Sequence, residues 1–413
     1  MLGVCIRYFH PNYGGMLQSY ATTQILNKRG LEYELIRYEK KKNAAFIIRS
    51  IPRLFNPILL NDKYLLLSKK INFVLHKEFK KNERKRREKF RQFEKEEFAK
   101  DEIRYVGYEA LCEAAKKYDA IITGSDQLWS PSGLESNFFN LMFVPEEIKK
   151  ISLASSFGVS RIPKNQIKRT KQYLNRIMHI SMRENRGAEI VKELTGRDVP
   201  VILDPVFMLK KEEWEDIATT KRFCDSPYLF AYLLGASTET RHEISEYAKK
   251  QGLKIITLRH ANQYVKEDEF FGDIAPYEVG PKEFLSLIKN ADCVCTDSYH
   301  GCVFSVLFHK PFAVYNRYVT GSVNSKNSRI DTICHNLKLN DRRRTEKNTL
   351  STLMEKSVNY SEVDRLLGEK RKDFDNYLDN ALRIKNRSDR ERSKHEEQTN
   401  ESASHCTIGC RRN

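Results

Sequence analysis

Six short polar loops hold most of the residues in this 413-residue chain whose types and spacing could support chemistry. Each loop directly follows a short apolar segment that is typical of a buried strand. The loops are residues 12–15, 124–127, 155–158, 181–185, 204–205 and 297–301. Because the carboxyl ends of parallel strands lie at one edge of a sheet, we expect these loops to converge on one cleft.

His300 is the clearest candidate for proton transfer. The sequence TDSYHG at 296–301 places it between a strand-like segment and an apolar, helix-like segment. An imidazole exchanges protons near neutral pH, and the backbone N–H groups at a helix start favour an anion. The other interpretation is a histidine that only caps the first turn of the helix, and this stretch leaves both open.

Two further charged residues suit an anionic or sugar ligand. Arg183 ends a strand-like segment, where a buried guanidinium is costly unless it binds a phosphate or a carboxylate. Asp126 could accept a proton from a sugar hydroxyl, or it could cap the segment that follows. Asn12 precedes Gly14 and Gly15, which form a turn and could let the backbone approach a phosphate. The spacing is not G-x-G-x-x-G, so a dinucleotide is not indicated.

Strand-like and helix-like segments alternate along the chain, which predicts an α/β fold. One set runs from the N-terminus to VPVILDPVF, and a second begins at SPYLFAYLL, with a seam near 208–225. We therefore expect two Rossmann-like domains facing a central cleft. The predicted segments are a domain at 1–208 with a helical basic excursion at 41–104, a domain at 209–350, a helical segment at 351–385 and a disordered tail at 386–413.

The charge of the chain favours anionic partners. The net charge is +17, and residues 77–97 form a dense run of mixed charge with helical character. A solvated helix face is the default interpretation of this run, and contact with an anionic membrane surface is the second. No RNA-binding signature with interleaved aromatic residues accompanies it, so we expect no nucleic-acid partner.

The remaining composition predicts a cytoplasmic protein. A further hypothesis is that its basic regions hold it at the inner face of the cell membrane. No apolar run is long enough to span a bilayer, and the N-terminus does not have the pattern of a signal peptide. Cys5, Cys293, Cys295 and Cys302 fall in core-like segments, which suggests reduced thiols. We find no metal-binding motif and expect no metal.

Several motifs together resemble the polysaccharide pyruvyl transferase family. They are NYGGMLQSYA, ITGSDQLWSP, ASSFG, SMRENRG, VILDPVF, CTDSYHGCVFSVLFHKPF and NSRIDTI, in that order over roughly residues 1–345. The resemblance implies a glycosyltransferase-B-like arrangement of two Rossmann-like domains. It also implies phosphoenolpyruvate as donor, a pair of sugar hydroxyls as acceptor, a pyruvate ketal on a capsule or exopolysaccharide as product, and no metal or other cofactor.

The resemblance also suggests roles for individual residues. His300 would carry donor binding or acid chemistry, Arg183 would clamp the anionic groups of the donor, and Asp126 would orient the acceptor. The other residues expected at the donor are Asn12, Gly14, Gly15, Ser298 and Gly301. The residues expected at the acceptor or elsewhere in the cleft are Gly124, Ser125, Gln127, Asp297 and Tyr299.

One position departs from the family pattern. Many members have an arginine two residues before the motif histidine, whereas this chain has Ser298 there, followed by Tyr299. A second arginine for the donor is therefore missing from this loop. Arg259, Arg317 and Arg329 are the candidates to replace it.

Three functions remain open at this point. The first is a pyruvyl transferase acting on a polysaccharide or its lipid-linked precursor. The second is a nucleotide-sugar-dependent glycosyltransferase on the same scaffold, since a fold does not determine a function. The third is a non-catalytic protein that binds glycans or assists their assembly at the membrane. It would not depend on His300 or Arg183.

Overall fold

The computed structural model describes residues 1–41, 67–68, 70–260, 263–318 and 327–383. Residues Met1–Phe374 form one compact unit, and a second begins at Asp375. The predicted disordered tail at 386–413 and the part of the basic excursion at 42–66 lie outside the described residues. Among the described residues, no helix is long and apolar enough to cross a lipid bilayer.

A six-stranded parallel sheet forms the N-terminal half of the structure. Its strands follow the order β3-β2-β1-β4-β5-β6, which is the order of a six-stranded Rossmann sheet. The strands are β1 (Leu2–Cys5), β2 (Tyr33–Glu39), β3 (Glu102–Val106), β4 (Ala120–Thr123), β5 (Lys149–Ser155) and β6 (His179–Met182). The strands β1, β4 and β5 are buried almost throughout, as expected for a parallel sheet covered by helices on both faces.

Helices connect these strands and cover the sheet. They are α1 (Tyr13–Lys28), α2 (Lys77–Glu97), α3 (Tyr108–Ala115), α4 (Ile167–Arg176) and α5 (Asn185–Thr195). Helix α1 begins at its N-cap Asn12, whose side chain accepts a hydrogen bond from the N–H of Gly15 at 2.8 Å. The loop after β1 therefore ends in a helix start, which is the local geometry that a parallel α/β unit places at its ligand-binding edge.

A four-stranded parallel sheet forms the C-terminal half. Its strands β7 (Tyr228–Tyr232), β8 (Lys254–Thr257), β9 (Cys293–Thr296) and β10 (Phe312–Val314) are ordered β10-β9-β7-β8. The helices are α6 (Lys211–Ile217), α7 (Thr238–Gln251), α8 (Pro281–Lys289), α9 (Tyr299–Leu307), α10 (Ser328–Asn336), α11 (Leu350–Met354) and α12 (Tyr360–Leu382). The two parallel sheets confirm the predicted α/β class with two Rossmann-like units. The exact domain boundaries stay predictions.

Aromatic contacts join the two halves beside the cleft. The Tyr13 ring of α1 stacks on Phe284 of α8, with centroids 4.6 Å apart. The Tyr13 hydroxyl also donates to the backbone carbonyl of Val279 at 2.9 Å. Because these groups are buried, the start of α1 is held directly against the second sheet.

Helix α2 contains the charged run at 77–97, for which a solvated helix face was the default expectation. In the structure one face of this helix is buried. The buried residues are Phe79, Glu83, Arg86, Phe90 and Phe93. Their spacing of three and four residues places them on a single side of a helix. Phe90 packs against Tyr13 with ring centroids 4.8 Å apart, so this helix also lies at the junction of the two halves.

Candidate functional site

A cavity of about 220 Å³ opens between the two sheets, at the carboxyl ends of strands from both. Three of the six polar loops reach it. The lining residues that the sequence singled out for the site are Asn12, Gly14, Asp126, Gln127, Ser298, Tyr299 and His300. Arg259, Arg317 and Arg329, named from the sequence as candidates to replace the missing arginine, also line it. The other lining residues are Arg7, Pro11, Tyr13, Tyr232, Leu234 and His260. The predicted cleft therefore exists, and both halves of the chain contribute to it.

His300 lies in the first turn of α9 and lines this cavity. Ser298 is the N-cap of α9, and its side chain accepts a hydrogen bond from the N–H of Gly301. The His300 Nε2 atom is buried and has no hydrogen-bond partner among the described residues; it lies 3.8 Å from Oδ2 of Asp204. Burial lowers the pKa of His300 to about 4, against the opposing effect of the Asp204 carboxylate. The imidazole is therefore neutral at pH 7 and can accept a proton.

Arg183 does not line the cavity but lies beneath it, fully buried. Its Nη1 is 2.7 Å from Oδ2 of Asp204, and its Nη2 is 3.6 Å from Oδ1 of Asp126. The guanidinium also lies 4.4 Å from the ring centroid of Tyr299. The buried cation that the sequence assigned to the donor is thus paired with carboxylates of the protein itself.

Asp126 is held in an unusual backbone conformation at the edge of the cavity. Its φ of 76° is in the left-handed region, which non-glycine residues rarely adopt. Burial would raise the pKa of its carboxyl group, but Arg183 and Arg7 outweigh burial and hold it well below the usual range. Asp126 is therefore ionised at pH 7 and is the single carboxylate among the residues that line the cavity.

Glu184 is a second buried carboxyl group beside Arg183. Its Oε1 accepts a hydrogen bond from Ser156 at 2.8 Å, and its Oε2 lies 4.0 Å from Nε of Arg183. Burial raises the pKa of Glu184 in spite of the neighbouring Arg183. The loops at 155–158 and 181–185 thus form a polar layer behind the cavity wall.

Four arginines give the cavity its positive charge: Arg7, Arg259, Arg317 and Arg329. In each of them the Nε atom is buried without a hydrogen-bond partner among the described residues. Burial and the nearby Arg183 lower the pKa of Arg329 to about 10, which is still high enough for a full charge at pH 7. Arg329 is buried as a whole, whereas Arg7, Arg259 and Arg317 are half-buried. A buried cation without an ion pair is costly unless a ligand supplies the negative charge.

Three of these arginines could replace the arginine that the family pattern has at the position of Ser298. Arg259, Arg317 and Arg329 were the candidates to replace the missing motif arginine, and the structure brings all three to the cavity wall. Arg7 was missed by the sequence analysis. Its signal was its position directly after the first strand, at the edge where the other polar loops were expected.

The other predicted residues support the site from behind. Ser125 donates to Asp204 at 2.9 Å, and Asp297 accepts from the N–H groups of Leu234 and Gly235, both at 2.7 Å. Gly124 and Gly301 are needed for close packing, since a Cβ atom would come within 2.3 Å of Ile6 and of Thr296, respectively. None of these four predicted residues, nor Gly15, is among those that line the cavity.

The arrangement is suited to binding a small polyanion beside a proton acceptor. Arginine side chains bind phosphate and carboxylate oxygens through paired N–H groups. The backbone N–H groups at the starts of α1 and α9 add to the positive potential at the same edge. A neutral imidazole and an ionised carboxylate face the same space, so the ligand could exchange protons with His300 while Asp126 faces any developing positive charge.

Solved structures resemble this chain at low sequence identity. A putative UDP-N-acetylglucosamine 2-epimerase from Listeria monocytogenes is 11% identical, with 90% of each chain covered and a TM-score of 0.46. The UDP-GlcNAc 2-epimerase from Methanocaldococcus jannaschii is 12% identical, with 89% of this chain and 99% of that chain covered and a TM-score of 0.42. The E. coli ADP-heptose LPS heptosyltransferase II is 11% identical, with the same coverage and a TM-score of 0.34.

Sequence comparison identifies the family. No curated protein sequence matches the chain. The sequence model of the polysaccharide pyruvyl transferase family matches residues 12–317, which include every residue singled out above for the site except Arg7, Pro11 and Arg329. Because this match covers most of the chain, the protein belongs to the polysaccharide pyruvyl transferase family.

Proposed function

We propose that this protein transfers the pyruvate unit of phosphoenolpyruvate to two hydroxyl groups of one sugar. The sugar would belong to a cell-surface polysaccharide, such as a capsule or exopolysaccharide, or to its lipid-linked precursor. The observation that carries the proposal is the cavity lined by four arginines with a neutral histidine among them. Phosphoenolpyruvate has a phosphate and a carboxylate on one small carbon skeleton, and both groups suit arginine.

The proposed reaction balances without an oxidant or a reductant. One sugar hydroxyl adds to C2 of the donor, and a proton adds to the C3 methylene, which becomes a methyl group. The bond between C2 and the bridging oxygen of the phosphate then breaks, and the second hydroxyl adds to C2. The two hydroxyl protons thus end on C3 and on the released phosphate, so neither a metal nor another cofactor is needed for the electron balance.

His300 and Asp126 have complementary roles in this proposal. Neutral His300 takes the proton of the attacking hydroxyl and passes a proton to C3, which the same side chain can do because imidazole acts in both directions. Ionised Asp126 orients the acceptor and stabilises positive charge at C2 when the phosphate leaves. Both residues line the cavity, so neither needs a large movement to reach the ligand.

We assign the anionic groups of the donor to Arg7, Arg317 and Arg329 rather than to Arg183. The first three line the cavity and make no ion pair within the described part of the chain. Arg183 is already paired with Asp204 and lies under the Tyr299 ring. Its proposed role is to hold Asp126 and Tyr299 in position.

A cytoplasmic location is part of the proposal. The thiols of Cys5, Cys295 and Cys302 are buried, and burial raises the pKa of the Cys5 and Cys295 thiols. Such thiols are typical of proteins in a reducing compartment. Phosphoenolpyruvate as donor requires the same compartment, since it is a metabolite of the cytoplasm.

Labelled phosphoenolpyruvate tests the proposed reaction. The purified protein is incubated with it and with a lipid-linked or polymeric glycan fraction, and acid-labile pyruvate on the glycan is measured together with free phosphate. We expect equal amounts of both products, and a loss of at least about 100-fold in His300→Gln. His242→Gln, which changes an exposed histidine of α7, is the matched control. Transfer of a sugar from a nucleotide donor, without pyruvate incorporation, would instead support the glycosyltransferase alternative.

A further inference from the structure

Helix α2 has ion-paired cations along most of its length but unpaired cations at its start. Lys85 pairs with Glu278 and Lys89 pairs with Glu283, both at 2.8 Å. In contrast, four cations in the first two turns make no ion pair within the described residues: Lys77, Lys80, Lys81 and Arg84. Their spacing of three and four residues places them on the side of α2 opposite to its buried face.

Exposed apolar side chains lie immediately before this cationic face. Residues 70–75 are helical, and the side chains of Leu67, Ile71, Val74 and Leu75 are 57%, 51%, 74% and 69% exposed. Ten large hydrophobic residues are exposed in the described part of the chain, and four of them fall between positions 67 and 75. Single exposed apolar residues are ordinary, but a cluster of this kind marks an interaction surface.

The other side of the same short helix is anchored to the protein. The Phe73 ring lies 5.5 Å from Phe79 of α2, and His76 stacks on Tyr264 with centroids 3.9 Å apart. The exposed apolar side chains are therefore presented outward by a segment whose opposite face is packed.

We propose that this surface docks on an anionic lipid bilayer. The docking surface consists of Leu67, Lys70, Ile71, Val74, Leu75, Lys77, Lys80, Lys81 and Arg84. Apolar side chains flanked by cations are the pattern of a segment that lies in the plane of a membrane interface. There the apolar groups enter the boundary of the acyl chains while the cations contact lipid phosphates. The net charge of +17 adds a long-range attraction to such a surface.

Docking would hold the candidate site beside the membrane. His76 and Phe79 line a small cavity of about 110 Å³, and this cavity shares Arg259 and His260 with the central one. The anchored side of the docking segment therefore adjoins the candidate site. The inference goes beyond the proposed reaction and does not depend on the identity of the donor.

Vesicle sedimentation of the full chain tests the docking surface. The vesicles contain either phosphatidylcholine alone or phosphatidylcholine with phosphatidylglycerol. One variant replaces Leu67, Ile71, Val74 and Leu75 with Ser, and a second replaces Lys77, Lys80, Lys81 and Arg84 with Gln. The control replaces Arg161, Lys164, Lys168 and Lys171 with Gln, which removes the same charge from another part of the surface.

We expect the unmodified chain to bind the anionic vesicles and not the neutral ones. The cation variant should bind more than about 100-fold more weakly, because each cation near an anionic surface contributes about fivefold to the partition coefficient. The apolar variant should bind at least about tenfold more weakly. The control should bind as the unmodified chain does. No binding by the unmodified chain, unchanged binding in both surface variants, or an equal loss in the control would each overturn the proposal. Cooperative denaturant unfolding of each variant shows that it is folded.

Discussion

The imidazole of His300 lies directly against Gly14, so that a Cβ atom at position 14 would come within 1.9 Å of Nδ1. Gly14 is in the first turn of α1 and His300 is in the first turn of α9, so this contact joins the ligand-binding edges of the two sheets. Only a residue without a side chain allows the two helix starts to approach so closely. The glycine therefore determines where the proton-accepting group of the site is placed.

Gly14→Ala should displace the imidazole and reduce pyruvyl transfer by at least about 100-fold, because a misplacement of about 1 Å is enough for such a loss. The matched control is Gly15→Ala, since a Cβ atom there meets nothing closer than 3.5 Å. In that control the alanine should leave activity within about threefold and favour the helix by up to about 1 kcal/mol. Initial rates and denaturant unfolding of both variants check this, and equal behaviour of the two would contradict the role of the contact.

The two arginines beside the Tyr299 ring should respond oppositely to substitution. Arg183→Met leaves the buried Asp204 and Asp126 carboxylates without their cation, which should reduce the unfolding free energy by about 3–5 kcal/mol. Arg329→Met removes a buried cation that has no ion-pair partner among the described residues, and it should raise the unfolding free energy by about 1 kcal/mol.

Denaturant unfolding with and without phosphate measures both effects. We expect Arg329→Met to lose most of the stabilisation that phosphate gives to the unmodified protein, because this arginine lines the cavity. If Arg329→Met strongly destabilises the protein in the absence of any anion, Arg329 already has a stabilising partner within the protein. The assignment of Arg329 to the donor would then be wrong.

The stability of the protein should depend on pH through His300. Its pKa is about 4 in the folded protein, below its ordinary value of 6.5, so the unfolded chain binds more protons between these two values. The stabilisation that this pKa difference gives to the folded protein is complete above pH 6.5 and is lost as the pH falls toward 4. Between pH 7 and pH 5 the loss amounts to about 2 kcal/mol.

Denaturant unfolding over this pH range isolates the contribution. His300→Gln should reduce the fall in unfolding free energy by that amount. Parallel curves for the unmodified protein and His300→Gln would mean that the imidazole titrates equally in the folded and unfolded chains.

Arg86 of α2 should act as a positioning residue for Arg259. Its guanidinium donates to the backbone carbonyl of Arg259 at 2.5 Å, and Tyr277 lies beside both arginines and accepts from Nη1 of Arg259 at 2.8 Å. Arg86→Met should therefore displace Arg259, which does not bind the donor directly in this account but adds to the positive charge of the cavity. We expect phosphoenolpyruvate binding to weaken by about tenfold and KM to rise more than kcat falls. Arg91→Met, on the exposed side of the same helix, is the control. A fall in kcat at unchanged KM would contradict a role in donor binding.

Local sequence patterns were sufficient for the fold and for the cleft between the two sheets. The α/β alternation predicted both parallel sheets, and the position of His300 after a buried strand and before an apolar helix predicted its place at the cleft. Those inferences needed only the rule that polar loops at the carboxyl ends of parallel strands share one edge.

The partner of each charged residue could not be predicted in this way. Arg183 was assigned to the donor because a buried guanidinium needs an anion, and in the structure Asp204 of the protein itself supplies one. Arg7 follows the first strand directly, but that position alone does not show which partner its charge has. Which cations are neutralised within the protein depends on contacts between segments far apart in sequence.

The charged run of α2 illustrates the same limit. Its composition favoured a solvated helix, but Phe79, Phe90 and Phe93 recur on one face with Arg86 between them. The periodicity of the three phenylalanines was a usable signal for a buried face. That Arg86 reaches the backbone of Arg259 could only be seen in the structure.

The most direct test of the proposed donor is the thermal stability of the purified protein with phosphoenolpyruvate, inorganic phosphate, and the nucleotides UDP, GDP and CMP. A ligand at about 100 times its dissociation constant stabilises the folded state by about 2.7 kcal/mol. The account predicts stabilisation by phosphoenolpyruvate that exceeds that of phosphate and is lost in Arg329→Met. Stabilisation by a nucleotide diphosphate, with no response to phosphoenolpyruvate, would contradict it.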